Sequence, residues 1–164
     1  MKKIKKILVA CDFSQYAKDT LEYAATCADA HQSELVVVNV VNQRDIDTLL
    51  KVAQSQFDRT VEKYIEETAA NYVENVTKIR TKELDSLIEE LGIGHLKIRK
   101  VFTTGAPLQK ILEAIDSESP DVVVMGPKGH ENLAGVLFGS VAEKMFRRCP
   151  VPLLSVRPKT KDPD

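Results

Sequence analysis

Apolar residues fall along the chain in two alternating kinds of run. Ile7-Leu-Val-Ala10, Leu35 to Val41, Asp121 to Met125 and Leu153 to Val156 are short and largely aliphatic, the mark of strands covered on both faces. Lys97 to Phe102 instead alternates polar and apolar, as a strand with one poorly covered face does. Between the strands, apolar residues recur at helical spacing. Ala17, Leu21, Ala24, Ala25 and Ala28 do so within Gln15 to His31, and Leu108, Ile111, Leu112 and Ile115 do so after Thr104-Gly-Ala-Pro107. Ser14 is a good N-cap for the first of these helices, and Pro107 suits the first turn of the other, which Ser119-Pro120 stops. A last helix is expected from Ser140 to about Arg148, broken by Cys149-Pro-Val-Pro152.

Residues 43 to 91 contain neither Gly nor Pro and carry a helical apolar stripe that shifts phase near Leu84. One unbroken helix there would run about 70 Å, against a radius of gyration of about 15 Å for a compact domain of this size. The helix therefore either breaks, with the β-branched, polar stretch Val76 to Thr81 the favoured point, or projects onto a partner. The order is thus β-α-β-α(α)-β-α-β-α-β. Such alternation predicts an α/β fold, a parallel sheet with helices on both faces. One domain is expected over residues 1–158, with 159–164 a frayed tail. Sheets of this kind bind ligands beyond the carboxyl ends of their strands, where strand order reverses. Asp12 and the glycine-rich stretch that follows Met125 both stand at such ends.

Composition narrows the function without naming it. The 164 residues are 43% hydrophobic and 29% charged, with a formal net charge of -1 and no Trp. Signs are mixed throughout and no basic patch interleaves with aromatics, which argues against nucleic acid or an anionic membrane as partner. No segment approaches the ~20 apolar residues of a membrane span. The start, MKKIKKILVAC, has the basic residues and small residue before Cys of a lipoprotein signal, but its apolar stretch is only Ile7 to Ala10. Cys11, Cys27 and Cys149 form no metal-ligand spacing with His31, His95 or His130, so they read as incidental thiols in a reducing compartment. A cytoplasmic location is expected.

Residues 126–140, GPKGHENLAGVLFGS, hold four of the seven glycines. Gly126 would let the chain leave the strand with a conformation, or a closeness to ligand, that a Cβ forbids. Gly129 would permit a second reversal. Gly139-Ser140 precedes a helix whose first N–H groups and dipole favour an anion, and the Ser140 hydroxyl can cap that helix or bond a phosphate oxygen. Successive loop amides would form an anion-binding nest. Glycine and Ser are also routine in plain strand-to-helix connections, but a loop of about twelve residues is long for one.

Gly126-x2-Gly129-x9-Gly139-Ser140 resembles the nucleotide-binding pattern of the universal stress protein family. The opening KKILVACDFS, Asn39-Val-Val41 at the end of the second strand, Gly105-Ala-Pro107 and the closing CPVPLLSVRP also resemble that family, in order and over nearly the whole chain. The resemblance implies a five-stranded parallel sheet of order 3-2-1-4-5, Rossmann-like and akin to the adenine nucleotide α-hydrolases, with an extended helical segment between the second and third strands. It implies ATP at the strand carboxyl ends. Gly126, Gly129, Gly139 and Ser140, with the amide of Val141, would hold ribose and phosphates. Val40 would meet adenine through its backbone, Met125 would lie near the ribose, and Ala10 and Asp12 would form the opposite wall. Asp12 beside a triphosphate calls for a donor or a metal, so Mg2+ or Mn2+ is expected on the phosphates; a turn or capping aspartate is the alternative. The family implies a homodimer through the strand Val151 to Val156.

One departure from the pattern falls between the first two glycines. Pro127 removes one amide from the nest, and Lys128 either supplies a charge to the phosphates or faces solvent; His130 reads as a surface residue. An enzyme is the first rival reading, but no P-loop is present, and Ser14 and Ser140 have no sequence-visible partners. Slow ATP hydrolysis or self-phosphorylation is the most that is expected. A nucleotide-free dimeric interaction scaffold of the same fold is the second rival. The expected role is a nucleotide-dependent regulator in a stress response, acting on a protein partner that the sequence does not name.

Overall fold

The computed structural model describes residues 3–56, 62–129 and 139–157. Five strands form one all-parallel sheet in the order β3-β2-β1-β4-β5. They are β1 (Lys6–Ala10), β2 (Glu34–Asn42), β3 (Ile98–Gly105), β4 (Val122–Met125) and β5 (Leu153–Ser155). The helices are α1 (Ala17–His31), α2 (Gln43–Gln56), α3 (Glu62–Glu90), α4 (Pro107–Glu118) and α5 (Ser140–Arg148). The predicted alternation and strand order are both borne out. β1 lies at the centre because Ile7, Leu8 and Val9 are fully buried, which only a strand with neighbours on both edges and helices on both faces achieves.

The alternation of side chains along each strand divides the core in two. Ile7, Val9, Leu35, Val37 and Val124 face α1, which contributes Leu21, Ala24, Ala25 and Ala28, and Leu84 of α3 joins them. Leu8, Val36, Val38, Val123 and Met125 face Ile111 and Ile115 of α4 and Ala142 and Met145 of α5. Each large aliphatic buried this way contributes about 1.5–3 kcal/mol.

Two expectations about the helices need correction. No break occurs at Val76 to Thr81: α3 runs through it to Glu90. β-branched residues cost a helix only a few tenths of a kcal/mol each, and Thr81 Oγ1 donates back to the Thr77 carbonyl at 2.7 Å. The described part of the long segment lies in α2 and α3, and residues 57–61 between them lie outside those described. The phase shift of the stripe marks where α3 meets the sheet: Leu84 is fully buried, whereas Ile79 is 64% exposed. Ser14 does not cap α1. That helix begins at Ala17 with Tyr16 in the cap position and no side-chain cap, and Ser14 belongs to the preceding turn.

Candidate functional site

β1 and β4 end side by side, Ala10 opposite Met125. From β1 the chain crosses to β2, whereas from β4 it crosses to β5 on the other side. The two exits therefore diverge and open a crevice between them. After Ala10 the Cys11 N–H donates to the Val38 carbonyl at 2.9 Å. Burial pushes the Cys11 thiol up to about 11, so it is a packed thiol and no nucleophile at neutral pH. Asp12 then turns the chain: its Oδ1 accepts the Ser14 N–H at 3.0 Å, and Phe13 between them holds φ 59, the left-handed region that a side chain of this size rarely occupies. Asp12 is thus a turn aspartate through one oxygen. Its other oxygen faces the glycine stretch.

That contact explains Gly129. A Cβ on Gly129 would stand 2.7 Å from Asp12 Oδ2, closer than atoms tolerate. A Cβ on Gly126 would meet Tyr16 Cβ at 3.2 Å, and one on Gly139 would meet Lys128 Cα at 3.3 Å and the Gly129 nitrogen at 3.5 Å. None of the three is left-handed; among the described glycines only Gly92 and Gly105 are. Gly129 therefore serves closeness, with no positive φ to call for glycine, and for Gly126 the same alternative holds. The three remove side chains from one small volume where the first turn, the β4 exit and the α5 entry converge.

The ends of the loop are tied together by the Gly139 N–H, which donates to the Pro127 carbonyl at 2.9 Å. Pro127 is buried; it lacks an amide but its carbonyl sets the approach to α5. Gly139 is the N-cap of α5 with no side-chain cap, so the Ser140 hydroxyl is not engaged in capping. The first helical bond is Glu143 N–H to Gly139 carbonyl at 2.9 Å, and the amides of Ser140, Val141 and Ala142 precede it without an acceptor inside the helix. They point out of the N-terminus, where the dipole favours negative charge. Ser140 is exposed and Val141 and Lys128 are half-buried. Residues 130–138, with His130 and most of the expected nest, lie outside the described residues.

Val40 completes the site from the other side of β1. Leu35 N–H bonds to Lys97 on the β3 side, and Val38 carbonyl bonds to Cys11 on the β1 side. Peptides of a parallel strand face alternate neighbours, so Val40 presents its N–H and C=O toward β1, past Ala10, the partner of Val38. The Val40 carbonyl accepts from Arg80 Nη1 at 3.1 Å, and the same nitrogen donates to Asn39 Oδ1 at 2.8 Å. Asn39, only 1% exposed, donates from Nδ2 to the Cys11 carbonyl at 2.7 Å. Arg80 is a site residue that sequence reasoning missed. Its one trace is that an Arg occupies the stretch where the apolar stripe of the long helix changes phase.

The arrangement fits a nucleotide on an observation internal to it: a cradle that Cβ atoms would fill, mouthed by helix amides, lies beside a backbone donor and acceptor. For a metal the fit is thinner. Among the described residues no three His, Cys, Asp or Glu side chains are grouped to hold an ion, and Asp12 is the one acidic side chain placed against the cradle.

The chain matches the model of the universal stress protein family over residues 3–157. The universal stress protein MJ0577 of Methanocaldococcus jannaschii is 28% identical over 166 residues, covering 94% of this chain and 96% of that relative. The solved structure of MJ0577 superposes with a TM-score of 0.78 at 25% identity, over 98% of this chain and all of that one. A universal stress protein solved in complex with cAMP has a TM-score of 0.58 at 20% identity, covering 95% and 98% of the two chains. One from Archaeoglobus fulgidus, in complex with dAMP, has a TM-score of 0.54 at 16% identity, covering 95% and 100%. These last two speak for the fold alone.

Proposed function

The chain belongs to the universal stress protein family, and we propose that it binds ATP at the crevice between β1 and β4 and acts as a homodimeric, cytoplasmic regulator whose partner contacts depend on the nucleotide. The observation that carries this reading is the three-glycine cradle against Asp12. Gly126, Gly129, Gly139 and Ser140, with the Val141 amide, hold ribose and phosphates, and Lys128 adds positive charge to offset the amide that Pro127 lacks. Val40 meets the adenine through its peptide, Met125 lies near the ribose, and Ala10 and Asp12 wall the opposite side. Asp12 would face Mg2+ or Mn2+ carried on the phosphates, whose charge would relieve the repulsion between its carboxylate and the triphosphate. Two proteins of this fold have been solved with cAMP and with dAMP, ligands of the class proposed here.

No helix of the described residues is long and apolar enough to cross a membrane. Slow ATP hydrolysis or self-phosphorylation is the most that this reading includes. Pro127 favours one second reading, a nucleotide-free dimeric scaffold, because it takes a donor from the phosphate end.

The test is nucleotide content. Freshly purified protein is denatured and the released small molecules are chromatographed, with Gly129→Val in parallel. The wild type is expected to release ATP and the variant none. Added MgATP at a hundredfold its Kd should stabilise an emptied wild type by about 2.7 kcal/mol. An empty wild type whose melting MgATP does not move would sink the nucleotide reading and leave the scaffold.

A further inference from the structure

We infer that Arg80 is the positioning residue that sets base selectivity at this site, holding the Val40 peptide so that it takes a 6-aminopurine and refuses a 6-oxopurine; the inference rests on the nucleotide reading above. Val40 turns an N–H donor and a C=O acceptor toward the space that β1 vacates after Ala10. A 6-aminopurine presents the complement along one edge, an amine that donates beside a ring nitrogen that accepts. A 6-oxopurine presents the reverse, so two like groups face each other and both backbone groups are left unpaired.

This discrimination works only if the peptide cannot tilt to suit the wrong base. Arg80 prevents the tilt. Its Nη1 spends one hydrogen on the Val40 carbonyl and the other on Asn39 Oδ1. Asn39, buried, passes the constraint to the Cys11 carbonyl in the turn that carries Asp12. A carbonyl oxygen has two lone pairs. The guanidinium fixes one, so the direction of the other, toward the base, is fixed too. A guanidinium is also donor-only and always charged, so it cannot exchange roles with the carbonyl it holds.

A purely structural role accounts poorly for this residue. β2 is already laddered to β3 through eight register pairs, from Leu35 to Asn42, and α3 is already anchored by Leu84. Arg80 also satisfies the buried Asn39 Oδ1, a structural contribution that would weaken both nucleotides alike, so the base preference is the readout that separates the two roles.

Binding of ATP and of ITP, which differs in carrying the 6-oxo group, would be measured by calorimetry on the wild type, Arg80→Ala and Arg80→Lys. The wild type is expected to prefer ATP by tenfold or more. Arg80→Ala should bind ATP about five- to tenfold more weakly with ITP nearly unchanged, collapsing the preference. Arg80→Lys, which keeps the charge without the fork, should keep an intermediate preference. Equal weakening of both nucleotides by Arg80→Ala would mean a structural role and overturn the inference; so would an unchanged preference. If Arg80→Ala does not fold, as judged by circular dichroism, Arg80→Lys carries the test, and a wild-type preference in it is the overturning result. A wild type that binds neither nucleotide overturns the nucleotide reading and this inference together, whereas a selective wild type with a selective Arg80→Ala overturns this inference alone.

Discussion

Gly129 and Asp12 lie 117 positions apart in the chain, yet the space between them belongs to both. Oδ1 of Asp12 is committed to the Ser14 amide at 3.0 Å, so the carboxylate cannot swing away from a new Cβ at 2.7 Å without breaking its own turn. Gly129→Ala is therefore expected to cost about 1–3 kcal/mol, as overpacking does, in a thermal melt without nucleotide. In an Asp12→Ala background the same change should cost almost nothing, because the atom it collides with is gone. The non-additivity of the cycle measures the contact; additive costs would show that the two do not touch. Gly94→Ala, with nothing within 4 Å of its Cβ, serves as the indifferent control. The glycine spacing was legible in the sequence as a cradle, but the reason for each glycine was not. Crowding against a residue on another loop is a property of the fold, and only Asp12's position after the first strand hinted at it. Arg80 was hidden for the same reason, since its partners Asn39 and Val40 are brought to it by the packing of α3 on β2.

At the scale of elements, what could be read was whatever local periodicity controls. The other strands, α4 and α5 fall within a residue or two of their expected bounds because each is a short run whose buried face is complete in itself, whereas β3, expected to end at Phe102, runs on to Gly105. The continuity of α3 through Val76 to Thr81 was not legible, because a polar, β-branched stretch lowers helix propensity only slightly and tertiary packing decides the outcome. That packing is uneven along α3. Leu84 is buried in the α1-side core while Ile79, little more than a turn earlier, is 64% exposed. Leu84→Ala is thus expected to cost about 2–5 kcal/mol through the cavity it leaves. Ile79→Ala should stay within about 0.5 kcal/mol. Denaturant melts of the two variants would check this, and a large loss at Ile79 would show that the exposed stretch of α3 is covered in solution.

At the scale of the molecule the sheet has two edges, and they are guarded differently. The β3 edge carries Lys97, Arg99 and Lys100, with Arg99 held between Glu34 and Glu118 and Lys100 paired to Asp85. Charges along an edge oppose pairing with another chain, because each would have to be desolvated. The β5 strand itself, Leu153–Ser155, carries no charge, and Arg157 stands two residues past its end. Leu154 on the strand is 40% exposed, a large apolar side chain on the edge strand, whose outer side has no further strand of the sheet. In the proposed homodimer a second copy would pair here, and symmetry would then place β5 against β5 with the same residues contributed twice. Leu154→Arg would put a charge at the centre of that contact and leave the fold of one subunit untouched, since the side chain is already half in water. The wild type is expected to sediment as a dimer and Leu154→Arg as a monomer, with equal circular dichroism. Arg99→Leu, on the opposite edge, should leave the dimer as it is. A dimer that survives Leu154→Arg would move the interface off β5, and a wild type that sediments as a monomer would remove the dimer from the proposed mechanism while leaving the cradle between β1 and β4 intact, because every residue of that cradle comes from one chain.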